Sequence, residues 1–232
     1  MEYLEFERIL SAKRIQRYKD AANGDTRKAM ALYRYNLRLS QEMFTIVSCF
    51  EVALRNAIDS LLVPSLGEDW LKDSVQDNGI FSNGRMNETR KIIEKAYNRL
   101  NRQGNYSHSK LIAEMEFGVW KYMYSSLQYR ATGQCLLRAF PNKPRSSAAV
   151  QYNNTYIFNE LDKVNSLRNR IAHHEPICFR LHEAEIDTSY IINEYQKIQT
   201  LFSWMGIDSH SMLYGLDHVQ SVCAKINSLK VK

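Results

Sequence analysis

Apolar side chains recur at intervals of three or four positions along most of the chain, which is the spacing of amphipathic helices rather than of strands. Near the N-terminus this spacing predicts a helix over residues 2–20 that ends before Asn23-Gly24. A second long helix is predicted over residues 26–62; it stops at Pro64 and has room for a break near Ser40.

The middle of the chain continues in the same way, with one clear turn. We predict a basic helix over residues 87–102 and an apolar, aromatic core segment over 111–129. The turn spans residues 140–147, where two prolines stand close together. A further long helix is expected to begin near Ser146 or Ser147.

Turn-forming residues are scarce, because the 232 residues include only 9 Gly and 4 Pro. This composition favours an all-α fold, and the length suits one compact domain over residues 1–232. Residues 187–232 are expected to form one or two helices as a C-terminal extension of that domain. Their common apolar face carries Ile191, Tyr195, Ile198, Phe202 and Met205.

Two of the predicted helices carry a charge on or beside an apolar face. In the helix over 26–62, Glu51 lies at the edge of a face made by Met43, Val47, Leu54, Ile58 and Leu61. A partly buried carboxylate needs a partner, so Glu51 pairs with Arg55 one turn on, lies at a solvated edge, or faces an active-site cation. In the later helix, Arg168 lies within about 20° of the centre of a face made by Val150, Ile157, Leu161, Val164 and Ile171.

The net charge of +6 is unevenly distributed. Lys and Arg outnumber Asp and Glu by 8 to 2 over residues 121–170 and by 7 to 2 over 85–110, whereas the ratio over 171–232 is 5 to 7. The two basic stretches either form a surface that attracts phosphates or are ordinary solvated helix faces.

The 4 cysteines are spread along the chain without a CxxC pair, which favours reduced thiols in a cytoplasmic protein. The spacing of His174, Cys178 and His182 is a weak zinc signal, and we expect neither a metal nor a cofactor. The N-terminal residues are acidic where a signal peptide needs basic ones, and no run approaches the ~18 apolar residues of a membrane span. We therefore expect a soluble chain with no membrane partner.

Residues 165–176 read NSLRNRIAHHEP and concentrate arginine and histidine in a few positions. Pro176 biases Glu175 away from helical geometry, so the helix should end or distort around the histidines. In an unbroken helix Arg168 and His173 lie about 140° apart, so a local break or a second subunit would have to bring them together. Alternatively, the histidines serve only to cap the helix C-terminus.

Histidine and arginine are a chemically suitable pair for cutting RNA without a metal. Histidine can move protons at the 2′-hydroxyl or at the leaving 5′-oxygen, because it titrates near neutral pH. Arginine can stabilise the charge that develops on the phosphate. Glu51 could hold one of these two side chains in position.

The run SLRNRIAHHEPI over residues 166–177 resembles the signature of the Abi-like proteins, which are abortive-infection factors related to the HEPN superfamily. HEPN nucleases carry an Arg, usually a polar residue beside it, and a His four to six residues further on. Arg168, Asn169 and His173 fill these places. Residues 24–59 and 112–123 also resemble parts of the Abi-like family, and the last fifty or so residues match nothing in it.

The resemblance implies an all-α, HEPN-like helical bundle with additional helices, which forms a homodimer with its motifs facing each other. It also implies a metal-independent endoribonuclease that leaves cyclic phosphate ends. Such an enzyme would act in phage defence by abortive infection, or as the toxin of a toxin-antitoxin system whose antitoxin is an RNA or a protein.

The same resemblance suggests a role for each candidate residue. We expect His173 to be the general acid or base, Arg168 the cation at the phosphate, and Asn169 an orienting hydrogen-bond group. Glu51 is a second choice in the catalytic set. Arg170 and His174 lie four positions apart and can share a helix face, so we expect them, together with Arg55, to contact the RNA substrate.

Three other functions remain open. The chain could be a non-catalytic RNA-binding module, since its basic stretches and its 14 Tyr and 9 Phe could track and stack on a single strand. It could be a partner of a nucleotidyltransferase, although it lacks a GxGxxG, a Walker motif and a carboxylate triad. It could also be a protein-interaction scaffold whose charged residues form structural ion pairs.

Overall fold

A computed structural model describes residues 1–230, which form twelve α-helices and two short 3₁₀-helices. The only β-type pairing within this range is an isolated bridge between Phe179 and Ile186. The prediction of an all-α fold is therefore confirmed. None of the helices in the described range is long and apolar enough to cross a membrane.

The helices follow one another with short connections over most of the chain. In chain order they are α1 Tyr3–Leu10, α2 Ala12–Ala21, α3 Thr26–Leu66, α4 Trp70–Asp73, α5 Asn87–Arg102, α6 His108–Glu114, α7 Phe117–Tyr122, α8 Ser126–Ala131, α9 Asn154–Ala172, α10 Ser189–Trp204, α11 Ser209–Met212 and α12 Val219–Asn227. The 3₁₀-helices are Gly84–Met86 and Leu136–Ala139.

The first two predicted helices differ from the observed ones at their breaks. The predicted helix over 2–20 is divided at Ser11, whose φ of +73° takes the backbone out of helical geometry. Helix α3, in contrast, runs through Ser40 without a break and continues past Pro64 to Leu66. Proline removes one N–H donor, but only two helical residues follow it here, so little of the helix depends on that bond.

Helix α5 has the bounds predicted for it, whereas the segment over 111–129 does not form one helix. It forms parts of α6, α7 and α8, which are separated where Met115, Glu116 and Ser125 adopt extended backbone. Its aromatic side chains nevertheless lie in the core as expected, with Phe117, Trp120 and Tyr124 fully buried.

Helix α9 begins at Asn154, several residues after the start predicted at Ser146 or Ser147. The Asn153 side-chain oxygen accepts a hydrogen bond from the Tyr156 N–H at 3.0 Å, which is the contact of an N-cap. The two serines belong to the preceding turn, where the Ser147 N–H donates to the Val150 carbonyl at 2.8 Å.

The chain divides into two compact units. Among the described residues, the first comprises 1–48, 166–200 and 208–230, and the second comprises 49–165 and 201–207. In the first unit, Tyr18 packs edge-on against Tyr33 and Phe179. In the second, Phe50 packs against Phe117 and Phe202.

The C-terminal segment, for which one or two helices are predicted, forms three, namely α10, the one-turn α11, and α12. On α10, Ile191, Ile198 and Phe202 are fully buried, whereas Tyr195 is only half-buried. Helix α10 therefore uses the predicted face for core packing.

Candidate active site

Helix α9 ends in the motif, and most of its apolar residues are buried. The fully or almost fully buried positions are Ile157, Leu161, Val164, Leu167 and Ile171. Val150 precedes the helix and is exposed, so it does not belong to this face. Without it, and with Leu167 included, the centre of the face moves, and Arg168 lies about 40° from it rather than about 20°. This position explains why Arg168 is half-buried rather than enclosed.

The helix ends in a Schellman motif built around the two histidines. The His174 N–H donates to the Ile171 carbonyl at 2.9 Å, and the Glu175 N–H donates to the Arg170 carbonyl at 2.9 Å. His174 takes the left-handed conformation that this motif requires, with a φ of +56°. The predicted end of the helix at the histidines is confirmed, and the chain leaves the helix at His174.

The point at which the helix ends decides how Arg168 and His173 are related within one chain. The His173 N–H still donates to the Asn169 carbonyl at 2.9 Å, so the helical geometry extends as far as His173. Arg168 and His173 are then about 140° apart around the helix, as in an unbroken helix. The local break comes too late to bring their side chains together.

Asn169 and His173 are four positions apart and therefore lie on the same side of the helix end. Both are exposed, and Arg168 beside them is half-buried. Within residues 1–230, the side chains of all three make no hydrogen bond or ion pair. Capping of the helix is carried by backbone atoms, so the His173 imidazole is not needed for it.

Arg170 holds the turn that follows the helix. Its Nε lies 3.2 Å from the Glu175 carboxylate, and its Nη2 donates to the Pro176 carbonyl at 3.0 Å. Its guanidinium also stacks over the Tyr190 ring, with Cζ 5.0 Å from the ring centre. These three contacts occupy much of the Arg170 guanidinium, which was expected to contact RNA, and they stabilise the turn.

Two residues from distant parts of the sequence complete the support of this turn. Arg14 of α2 donates from Nη1 to the His174 carbonyl at 3.1 Å. The buried Asn36 side chain of α3 accepts a hydrogen bond from the Ile177 N–H at 2.9 Å. The turn is thus fixed on both sides by residues of the first unit.

The end of α9 does not by itself attract phosphates, because the carbonyl end of a helix carries partial negative charge. Positive charge at this end comes from side chains. Arg168 lies on the last turns of α9, while Arg14 is an exposed residue of α2 in contact with the turn. The histidines His173 and His174 are both exposed next to these cations.

The chain after the turn enters the core. Burial raises the pKa of the Cys178 thiol to about 12, which keeps it protonated at neutral pH. In the part of the chain that is described, no group of three or more His, Cys, Asp or Glu side chains is placed to hold a metal ion. The weak zinc signal of His174, Cys178 and His182 therefore has no counterpart in the geometry of residues 1–230.

The family model described as Abi-like protein matches residues 3–178, which is about three quarters of the chain. This match extends from α1 through the whole of α9 and its terminal turn. The chain belongs to the Abi-like protein family. No curated protein and no solved structure matches it. The Abi-like match stops just before helices α10, α11 and α12, which agrees with the expectation that the last fifty or so residues lie outside it.

The seven predicted site residues of this Abi-like protein fall into two groups. Arg168, Asn169, Arg170, His173 and His174 lie together at the end of α9 in the first unit. Glu51 and Arg55 are half-buried residues of α3 in the second unit. The Arg55 Nε is buried and makes no hydrogen bond among the described residues. The parts assigned to Glu51 and Arg55 stay predictions.

Sequence reasoning missed Arg14 and Asn36, which support the turn. They are separated from their contacts by 160 and 141 positions, so no local pattern connects them. Only Asn36 could have been found from the sequence, because a buried polar side chain on the apolar face of α3 needs a hydrogen-bond partner.

Proposed function

We propose that this Abi-like protein is a metal-independent endoribonuclease that acts in phage defence by abortive infection. The observation that carries the proposal is the state of the motif at the end of α9. The side chains of Arg168, Asn169 and His173 are at least partly accessible and have no partner within residues 1–230, while other residues fix the turn beside them. The family description, Abi-like protein, supports the role in abortive infection.

In the proposed reaction, the 2′-oxygen of a ribose attacks the adjacent phosphorus. His173 accepts the proton of the 2′-hydroxyl, and the bond from phosphorus to the 5′-oxygen breaks. Protonation of that 5′-oxygen releases one strand with a 5′-hydroxyl and leaves a 2′,3′-cyclic phosphate on the other. Arg168 stabilises the charge on the phosphate oxygens, and Asn169 orients the phosphate by hydrogen bonding.

Two copies of the chain supply a complete site in this proposal. Arg168 and His173 lie about 140° apart on one helix end, so a phosphate bound by one is not within easy reach of the other. A second copy with its motif facing the first would place its own His173 near the Arg168 of the first copy. The imidazolium formed when this His173 accepts the 2′-hydroxyl proton can then protonate the leaving oxygen, so each site needs one Arg168 and one His173.

The proposal is tested by incubating the purified protein with labelled total RNA and with tRNA in excess EDTA. The parent is expected to cut, and Arg168→Ala and His173→Ala are expected to lose at least about 100-fold in rate, in line with the usual contributions of acid-base and charge-stabilising groups. Arg27→Ala and His210→Ala are matched controls, because both residues are exposed and lie outside the motif. Circular dichroism checks that each variant is folded.

Intact RNA in every lane, with binding retained by the parent and both variants, would overturn the proposal. It would favour the alternative of a non-catalytic RNA-binding module. Cutting that survives in both variants would also contradict it, because the activity would then come from another site or a contaminant.

A further inference from the structure

An open groove of about 950 Å³ runs along α5 in the second unit. One wall is α5 itself, from the residues just before it to its C-terminal end, and the other wall comes from residues 114–122. Apolar side chains dominate its surface, including Met86, Met115 and Val119 on the buried side. Ile92 and Tyr122 also line it, and each is 47% exposed.

The outward residues of α5 follow the spacing of a helix-packing seam. Glu88, Ile92, Lys95, Arg99 and Arg102 line the groove at intervals of four, three, four and three positions. This is the repeat along which a second helix can pack, with Ile92 as a central apolar contact. Since α5 has 16 residues, it is about 24 Å long, and the seam along it offers room for about four turns of a partner helix.

The charges on the groove favour an acidic occupant. Two of its carboxylates are already neutralised, because Glu114 pairs with Arg99 and Glu88 lies 3.2 Å from the Lys91 Nζ. Arg85, Lys95 and Arg102 also line the groove, and within residues 1–230 none of them has a carboxylate partner. Against these three cations stands one further carboxylate, Glu116. An occupant with carboxylates beside an apolar stripe would match both features of the groove.

We propose that this groove binds an amphipathic, acidic helix of a partner protein. Its apolar side chains lie against Ile92, Val119 and Tyr122, and its flanking Asp or Glu residues pair with Arg85, Lys95 and Arg102. The groove lies in a different unit from the motif and does not depend on RNA cleavage, so it stands or falls independently of the proposed ribonuclease activity.

The shape and lining favour a helix over the other ligands that basic grooves take. Grooves for single-stranded RNA typically offer several aromatic rings on which bases stack, and among residues 1–230 Tyr122 is the only aromatic residue that lines this groove. A small-ligand pocket normally encloses most of its ligand, whereas this groove is about half open to solvent. Aliphatic and methionine side chains are typical of surfaces that receive an amphipathic helix.

The test uses a displayed library of helical peptides about four turns long. Apolar residues stand at intervals of three and four, and the flanking positions are varied equally between Glu and Lys. The library is selected in parallel against the parent chain, against Ile92→Asp and against the Lys95→Glu/Arg102→Glu double variant. Selected peptides are then measured against Ile92→Asp, against the Lys95→Glu/Arg102→Glu double variant, and against Ile9→Asp. The last is a control, because Ile9 is an exposed apolar residue outside the groove.

We expect enrichment of Glu over Lys at the flanks and at least a tenfold weaker binding to Ile92→Asp, with Ile9→Asp unchanged. The double variant should select Lys instead of Glu. Enrichment of lysine-rich peptides on the parent, or equal binding to Ile92→Asp, would overturn the proposal. The proposal would also be overturned if no peptide were enriched more strongly on the parent than on Ile92→Asp. If a single-stranded RNA binds the parent and loses affinity on Ile92→Asp while no peptide is enriched, RNA is the occupant instead.

Discussion

His173 and His174 are adjacent but differ in backbone conformation. His173 keeps a helical hydrogen bond to the Asn169 carbonyl, whereas His174 has a φ of +56°. A residue with a Cβ atom in the left-handed region costs roughly 1–2 kcal/mol. The Schellman hydrogen bonds and the contact from Arg14 hold His174 in this conformation. His174 therefore determines where the chain turns, and His173 remains on the helix with its imidazole exposed.

Replacing His174 by glycine tests the left-handed conformation of this residue directly. We expect His174→Gly to raise the free energy of unfolding by about 0.5–1 kcal/mol, because glycine adopts a positive φ without a steric penalty. His174→Val should lower it, since β-branched residues tolerate this region poorly. Urea denaturation measures both changes. A glycine variant less stable than the parent would contradict the assigned conformation.

At the scale of secondary structure, helix bounds were predicted most accurately where the apolar pattern is long and regular. Helix α5 was predicted with its observed bounds because its buried positions follow a helical spacing between polar flanks. The break at Ser11 could not be predicted, because the apolar spacing of α1 and α2 is similar on both sides of it. The residues at 111–129 are apolar on nearly every side, and such a pattern does not show where one buried helix ends and the next begins.

The candidate site was predictable only in its local part. Arg168, Asn169 and His173 are close in sequence, and Pro176 indicated the end of their helix, so their common location followed from the sequence. The support from Arg14 and Asn36 depends on the packing of α2 and α3 against the turn. The spacing of Arg170 predicts that it contacts the RNA substrate, but its guanidinium is in contact with Glu175, Pro176 and Tyr190. Spacing alone therefore does not reveal which cations already have partners within the protein.

The contact between α3 and the turn gives a testable energy. In Asn36→Ala the buried Ile177 N–H loses its acceptor, so we expect a loss of about 1–3 kcal/mol in the free energy of unfolding. Gln41→Ala is the control, because Gln41 is an exposed residue of the same helix. Both are measured by urea denaturation. Equal stabilities for the two variants would show that the turn does not depend on Asn36.

At the scale of the whole molecule, the geometry of α9 leads to a prediction about two copies of the chain. If Arg168 of one copy works with His173 of the other, mixing Arg168→Ala with His173→Ala restores one complete site in each mixed dimer. Random mixing gives about half mixed dimers with one of two sites intact, so we expect about a quarter of the parent's cleavage rate. The rate is measured after the two variants are mixed and allowed to exchange.

The control for this experiment is a mixture of either variant with the Arg168→Ala/His173→Ala double variant, which can form no complete site. Native mass spectrometry establishes that mixed dimers have formed. Mixed dimers without any recovered activity would exclude a site made of one Arg168 and the opposite His173.

The central step of the proposed reaction is attack of a ribose 2′-hydroxyl on the adjacent phosphorus, with the help of His173 and without a metal. The measurement is cleavage, in excess EDTA, of labelled DNA oligonucleotides that each contain one ribonucleotide, placed at a site that the protein cuts in RNA. We predict a single cut immediately 3′ of the ribonucleotide, a 2′,3′-cyclic phosphate on the upstream product, and no cut by His173→Ala. Cutting at deoxynucleotides, or equal cutting by His173→Ala, would contradict the account.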